Sequence, residues 1–110
     1  MIDEKGKFTI IKGADLDYTV TYYEPDGVTP IDLTGKAAVT RIAESLNADE
    51  VIELSTNNGG MILGGTAGTI RWVMSSAATS SISFDSGIYD VFLAGEPLIF
   101  QKPFVAPERV

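Results

Sequence analysis

The residue types that most often carry catalysis are scarce in this chain of 110 residues, which contains no histidine and no cysteine. Without histidine a Ser–His–Asp nucleophile is excluded, and without cysteine so are thiolate nucleophiles, disulfides and thiolate zinc sites. Serines cluster between Ser75 and Ser83, but no lysine stands near them to form a Ser–Lys dyad. A capped helical turn explains these serines better than a nucleophile does.

Acidic residues offer two other kinds of chemistry. A carboxylate pair could hydrolyse glycosides on a β scaffold, and carboxylates grouped in a loop could bind Ca²⁺. No spacing singles out a pair, no Asp-x-Asp-x-Asp-Gly loop occurs, and Asx turns explain Asp26 and Asp32. We therefore expect no enzyme, no metal and no cofactor. The glycosidase candidates by residue type are Glu53, Asp85, Asp90 and Glu96, and the Ca²⁺ candidates are Asp15, Asp17, Asp26 and Asp32.

The glycine-rich segment 58–68 has the composition of a phosphate-binding loop. It lacks the Gly-Lys-Ser/Thr ending of such loops, and no helical pattern follows it. Hairpin turns are the simpler interpretation.

The overall charge also limits the possible partners. Fifteen acidic and eight basic residues give a net charge of −7, and the lysines and arginines are scattered along the chain. Binding to nucleic acid or to an anionic membrane needs clustered positive charge, so we expect neither partner. No apolar run approaches the roughly 20 residues that cross a bilayer.

Glycine and Asx residues divide the chain at short intervals into runs rich in Thr, Val, Ile, Tyr and Phe. Turn signals every 8–12 residues are typical of an all-β domain. We predict a single domain, 1–110, with an immunoglobulin-like, two-sheet antiparallel β-sandwich of about seven to nine strands. The Ser/Ala-rich stretch 75–82 predicts one short helical turn with Ser75 or Ser76 as its N-cap.

Alternation within the runs predicts which side chains face inward. Trp72, between Ile70 and Met74, is predicted to lie in the core, and Arg41 is predicted to reach solvent. Tyr23 and Phe92 fall on the faces opposite the inward sets. Either they belong to a partner-facing surface, or the chain's own loops cover them; the pattern leaves both possibilities open.

The two ends of the chain are predicted to be extended. Residues 1–7 lack apolar periodicity and are expected to form an N-terminal arm. The segment 103–110 is apolar but contains two prolines, which suggests an edge strand or an extended tail. Phe104 and Val105 then need cover from a groove on this domain or on an adjacent subunit, and we expect them to contact a partner together with Tyr23 and Phe92.

The order of several short motifs resembles small virion proteins of tailed bacteriophages. These motifs are Phe-Thr-Ile at 8–10, Gly-Ala-Asp at 13–15, Tyr-x-Val at 18–20, Pro-Ile-Asp-Leu-Thr-Gly at 30–35 and Gly-Ile-Tyr-Asp-Val-Phe-Leu at 87–93. The chain is similar over about residues 7–105 to the β-sandwich module of phage tail and baseplate components, including the N-terminal domain of baseplate upper proteins. Such relatives often carry an aromatic or apolar residue after Thr-Gly, where this chain has Lys36.

The resemblance implies structural work in a multi-copy assembly. The expected function is that of a non-catalytic adaptor or attachment module at the tail, baseplate or neck of a virion that is assembled in the host cytoplasm. Its partners would be other phage structural proteins, without a small-molecule substrate. Two alternatives remain: a capsid decoration or head-fibre protein, and a carbohydrate-binding module in which Tyr23 and Phe92 stack on sugars.

Overall fold

The computed structural model describes residues 6–94 and 96–107. Their backbone forms eight strands, one short α-helix and a 3-10 turn at Gly65–Ala67. The strands are β1 Phe8–Thr9, β2 Leu16–Thr21, β3 Ala38–Ala43, β4 Val51–Ser55, β5 Met61–Leu63, β6 Thr69–Met74, β7 Ser86–Leu93 and β8 Glu96–Val105. Helix α1, Ser76–Ser80, lies between β6 and β7.

The strands form two sheets. A five-stranded sheet has the order β1-β8-β7-β3-β4, and a three-stranded sheet has the order β2-β6-β5. Among the described strands every pair is antiparallel except β1 and β8, which are parallel. The predicted all-β, two-sheet sandwich is confirmed, and the expectation of a wholly antiparallel arrangement is wrong at that one pair. β1 and β8 come from opposite ends of the chain, so no hairpin constrains their relative direction.

The strand order is that of an immunoglobulin variable-type sandwich, which places strands B, E and D in one sheet and G, F, C and C′ in the other. Here β2, β6 and β5 take the first set of positions, and β8, β7, β3 and β4 take the second. Antibody domains join their sheets by a disulfide. This chain has no cysteine, and aromatic rings fill the interior: the Phe8 ring centroid lies 5.7 Å from that of Trp72 and 5.1 Å from that of Tyr89.

Alternating side chains produce this interior, as the sequence pattern predicts. Tyr18 of β2 and Trp72 of β6 are cross-strand partners whose rings stack with centroids 6.1 Å apart. Trp72 is fully buried, which confirms its predicted place in the core. In β3 the side chain of Thr40 points inward between those of Ala38 and Ile42, so that Arg41 is left exposed.

Helix α1 closes one end of the sandwich where the sequence predicts a helical turn. Ser75 is its N-cap, and its side chain accepts a hydrogen bond from the Ala78 backbone N–H. The Asp15 carboxylate accepts a second one from the Ser76 N–H at 2.7 Å. Buried Thr79 ties the helix to the chain before β2, because its hydroxyl donates to the Ala14 carbonyl oxygen at 2.8 Å.

The C-terminal segment differs from its prediction. Residues as far as Val105 belong to β8, which lies between β1 and β7 and is therefore not an edge strand. Phe104 is 1% exposed and packs edge-on against Phe8 and Phe84. Proline is tolerated at position 103 because β1 pairs with β8 only at Phe104 and Val105, so Pro103 lies just outside that second ladder.

In its described part the segment is therefore a strand of the sheet with a short continuation and not a separate arm, and Phe104 is a core residue. Val105 is half-buried and has strand partners on both sides, Thr9 and Ser86. Residues 108–110 lie outside the described residues, as do residues 1–5 of the predicted N-terminal arm. Gly6, which follows them, accepts a hydrogen bond from the Tyr89 hydroxyl at 2.6 Å through its carbonyl oxygen.

Candidate interaction surface

One face of the five-stranded sheet points away from the core. In β3, β4 and β7 the side chains alternate between the core and this outer side of the sheet. The register places Val39 beside Phe92, and Arg41 between Glu53 and Asp90. We call the set Val39, Arg41, Glu53, Asp90 and Phe92 the outer face.

Arg41 is at the centre of the outer face. Its Nε lies 3.9 Å from the Glu53 carboxylate, and its guanidinium carbon lies 5.9 Å from the centroid of the Phe92 ring. The side chains of Arg41 and Glu53 are both about half exposed, so solvent weakens this ion pair. The position over the ring is that of a cation–π contact, which holds the guanidinium against the aromatic face.

Asp90 is the unusual group of the outer face. Its Oδ1 atom is buried and has no hydrogen-bond partner. Burial raises the pKa of the Asp90 carboxyl, and the charge and backbone N–H of Arg41 only partly offset that effect. A buried carboxylate oxygen without a hydrogen-bond donor destabilises the ionised form of the side chain, so Oδ1 adds to the cost of ionising Asp90.

Two shallow depressions open on this side of the sheet, and Arg41 lines both. The larger has a volume of about 620 Å³ and is bordered by Val39, Phe92 and Asn57. The smaller, of about 120 Å³, is bordered by Asp90 together with Leu46, Val51 and Ile88. Leu46 of the loop between β3 and β4, Val51 of β4 and Ile88 of β7 thus place apolar side chains beside the outer face.

The structure separates the residues that the sequence analysis grouped as contacts. Phe92 is half-buried on the outer face. Tyr23 is 49% exposed but follows β2 in the other sheet, where it pairs with Pro30. Phe104 lies in the core and is not part of a surface with Phe92 or Tyr23. Val105 is half-buried between the buried residues Phe104 and Ala106 and pairs with Ser86, so it alternates onto the same side of the five-stranded sheet as Phe92. A contact role for Phe92, Tyr23 or Val105 stays a prediction.

Most of the acids singled out by type are bound by the protein's own donors. Asp17 forms a bidentate ion pair with Arg71, with N–O distances of 2.8 and 2.7 Å. Asp26 and Asp32 accept backbone N–H groups two residues ahead, which confirms the predicted Asx turns. Asp85 accepts from the ammonium of Lys12 at 2.7 Å. Within residues 6–94 and 96–107 no group of three or more acidic side chains is placed to hold a metal ion.

From the sequence, Arg41 was predicted only to reach solvent, and Asp90 was identified only as one of several acidic candidates. Their pairing depends on the register between β3 and β7, which alternation alone does not determine. Leu46 was not identified because it lies in a loop, and Val51 because it begins a strand.

Comparison with known proteins adds no assignment. No protein-family model matches the chain, and no curated protein matches it. Among solved structures, the chain is similar to the extracellular domain of the voltage-gated sodium channel β4 subunit, whose report describes parallel homodimers and a role in cell–cell adhesion. That likeness covers 100% of this chain and 97% of the other, at 11% sequence identity and a TM-score of 0.48. Along the described chain no helix has the length and apolar character that a membrane crossing needs.

Proposed function

We propose that this chain is a non-catalytic structural module of a tailed-phage virion, acting as an adaptor or attachment module at the tail, baseplate or neck. The motif order between about residues 7 and 105 supports the virion assignment. The outer face supports the adaptor role: among the described residues it combines the half-buried Phe92 and Val39 with the exposed Leu46 and Val51 beside two depressions. Apolar side chains grouped on a surface are a feature of protein–protein contact sites.

The outer face favours a protein partner over a sugar. A carbohydrate-binding module presents open aromatic faces, but the guanidinium of Arg41 lies over the Phe92 ring. Tyr23 follows a strand of the other sheet and does not extend a stacking platform from Phe92. A protein partner can use the ring edge, the guanidinium and the apolar rim together, since interface centres favour aromatic residues and arginine.

Immunogold electron microscopy of purified particles, with an antibody against this chain, tests the assignment. Gold at the tail, baseplate or neck is the expected result. Gold over the head would favour the decoration or head-fibre alternative. Particles that lack the chain by both labelling and mass spectrometry would overturn the virion assignment, and a glycan array on the purified chain then tests the carbohydrate-binding alternative.

A further inference from the structure

Three of the four edges of the two sheets are short or blocked. β1 has two residues and β5 has three. At the edge of β4 the side-chain amide of Asn58 takes the place of a neighbouring strand: its Oδ1 accepts from the Ser55 N–H at 2.9 Å, and its Nδ2 donates to the Glu53 carbonyl oxygen at 2.8 Å. Soluble proteins use short strands and covering groups of this kind to prevent other chains from pairing with their sheets.

β2 is the fourth edge strand, and it has neither form of protection. It has six residues and pairs only with β6 in the described part of the chain. The N–H of Tyr22, just after β2, donates to the Gly68 carbonyl oxygen at 2.9 Å. Hydrogen-bonded residues alternate along an antiparallel pair, so the N–H and C=O groups of Asp17, Thr19 and Thr21 point away from β6. No hydrogen bond among the described residues uses these backbone groups, which we call the free edge.

The immunoglobulin plan has a strand beside this edge. It places strand A next to strand B, and β2 has the position of strand B. In this chain β1 pairs with β8 of the other sheet, so none of the described strands lies beside the free edge. The exposed side chains along it are those of Asp17, Thr19 and Thr21, without the lysine or proline that discourages strand pairing. The free edge is therefore an open template for a further strand.

The core-facing side chains of β2 are incompletely covered at this edge. Leu16, Tyr18 and Val20 are half-buried, whereas their cross-strand partners on β6 are all buried. A groove of about 180 Å³ lies beside Leu16 and Tyr18, and its lining also includes Thr9 and the 47% exposed Ile11. A strand added at the free edge would place every second side chain over this apolar surface, so apolar residues are favoured at those positions.

Charge indicates which molecule supplies the strand. Acidic residues flank β2, with Asp15 before it and Glu24 after it. A second copy that paired antiparallel at the free edge would bring its Glu24 close to Asp15, and each chain has a net charge of −7. We propose that the free edge binds an extended segment of a partner protein as a fourth strand of this sheet, with alternating apolar side chains and basic residues at its ends. This inference rests on the proposed adaptor function and specifies the chemistry of its partner.

The test is amide hydrogen exchange of the ¹⁵N-labelled chain, followed by NMR, with the peptide acetyl-Lys-Thr-Val-Thr-Val-Thr-Lys-amide as the probe. In the free chain, after correction for intrinsic rates, the amides of Thr19 and Thr21 are expected to exchange at least about tenfold faster than that of Val20 between them, which donates to β6. At about 90% occupancy the peptide is expected to slow the exchange of Thr19 and Thr21 about tenfold.

Two control peptides separate backbone pairing from charge. A peptide with N-methyl groups on its five central residues keeps the side chains and the charge but loses the donors of a strand, so it is expected to bind at least about tenfold more weakly. A peptide with glutamate in place of both lysines is also expected to bind more weakly, because acidic residues flank β2.

Two variants of the chain test the same edge. Thr19→Pro removes one outward N–H where an edge strand tolerates proline, and is expected to bind the peptide at least about tenfold more weakly. Thr19→Val keeps the N–H, is the matched control, and is expected to bind like the parent. The comparison of the two backbone forms of the peptide stands even if Thr19→Pro fails to fold.

Three results would each overturn the inference. The first is fast exchange of Thr19 and Thr21 that persists in millimolar peptide, and the second is equal affinity for the N-methylated peptide. The third is slow exchange of both amides in the free chain, which would mean that the chain itself covers the edge. Because these measurements use the isolated chain, their failure is distinct from an absence of the chain from virions.

Discussion

The indole Nε1 of Trp72 donates a hydrogen bond of 2.8 Å to the hydroxyl of Thr40, across the interior between the two sheets. Both residues are fully buried. The Thr40 hydroxyl in turn lies 3.2 Å from the sulfur of Met61 and donates to it. The buried indole N–H thus finds an acceptor in the Thr40 oxygen, the Thr40 O–H finds one in the Met61 sulfur, and the Trp72–Thr40 hydrogen bond links β6 to β3.

Replacing Thr40 with valine tests this pair. Thr40→Val keeps the shape but leaves the indole N–H without an acceptor, so the free energy of unfolding should fall by about 1–3 kcal/mol. Trp72→Ala should cost about 3–5 kcal/mol, since it also opens a cavity. Denaturant unfolding measures both values. Thr19→Val makes the same chemical change at an exposed position of β2 and is the control; equal stability of the two valine variants would contradict the role of the hydrogen bond.

Phe104 is expected to contribute to stability and not to partner contact. Phe104→Ala removes a ring that is 1% exposed and packed against Phe8 and Phe84, so it should cost about 3–5 kcal/mol. Thermal melting and denaturant unfolding provide the measurement. Val28→Ala, at a position that is 77% exposed, is the matched control for truncation of an apolar side chain. A Phe104→Ala variant that melts like the parent would mean that the ring lies outside the core.

The inward and outward faces of the strands could be predicted from the sequence, whereas the pairing of one strand with another could not. Alternation correctly assigned the inward faces of β2, β3 and β6, because one buried face requires a period of two. It failed at the C-terminal segment, where two prolines suggested an edge. Proline excludes a residue from a ladder only on the side where a partner needs its N–H, and that side depends on tertiary pairing.

The same limit applies to the outer face. The residue types on it were visible, and Phe92 was correctly assigned outward. The relation between Asp90 and Arg41 follows from the β3–β7 register, and Leu46 comes from a loop whose path no periodicity predicts.

Gly87 of β7 lies directly against the backbone at the end of β3. A Cβ at this position would stand 2.1 Å from the carbonyl oxygen of Ala43, which is backbone and cannot rotate away. Gly87→Ala should therefore push the two strands apart and cost at least about 1–3 kcal/mol. Ser86→Ala, at the exposed neighbouring position, is the control for a small change in the same strand. Equal melting temperatures of the two variants would show that the strands can separate freely.

The Asp17–Arg71 pair is expected to make stability depend on acidity. The hydrogen bond and charge of Arg71 lower the pKa of Asp17. For a lowered pKa, the stabilisation is present above the unfolded-state value of about 3.9 and is lost as the pH falls through the native value. Asp17→Asn should therefore lower the melting temperature at neutral pH by a few degrees at most, because the pair is exposed. The difference from the parent should close as the pH falls through the lowered native pKa of Asp17, because the carboxyl is then protonated.

Glu24→Gln, which removes one exposed charge without breaking a described ion pair, is the control for this experiment. In concentrated salt the effect of Asp17→Asn should shrink, since exposed charges are screened. If Asp17→Asn melts below the parent by the same amount at every pH, the lost stability comes from packing and not from the ion pair.

Asp90 is expected to affect stability in the opposite direction. Burial raises the pKa of its carboxyl, so the native state holds this proton more tightly than the unfolded state does. Stability therefore falls as the pH rises from the ordinary range of an aspartate through the raised native value. Asp90→Asn removes the ionised oxygen that has no partner, and this variant should melt at a higher temperature than the parent at pH 7. The difference should shrink towards about pH 3, where more of Asp90 is protonated.

Glu24→Gln again serves as the control, because it changes the net charge equally at an exposed turn and should leave the melting temperature almost unchanged. Differential scanning calorimetry over this pH range measures all three proteins. A lower melting temperature for Asp90→Asn at pH 7 would mean that the carboxylate is already paired within the chain. A higher one would mean that the ionised carboxylate, with its buried and unpaired Oδ1, destabilises the chain at neutral pH, as its raised pKa indicates.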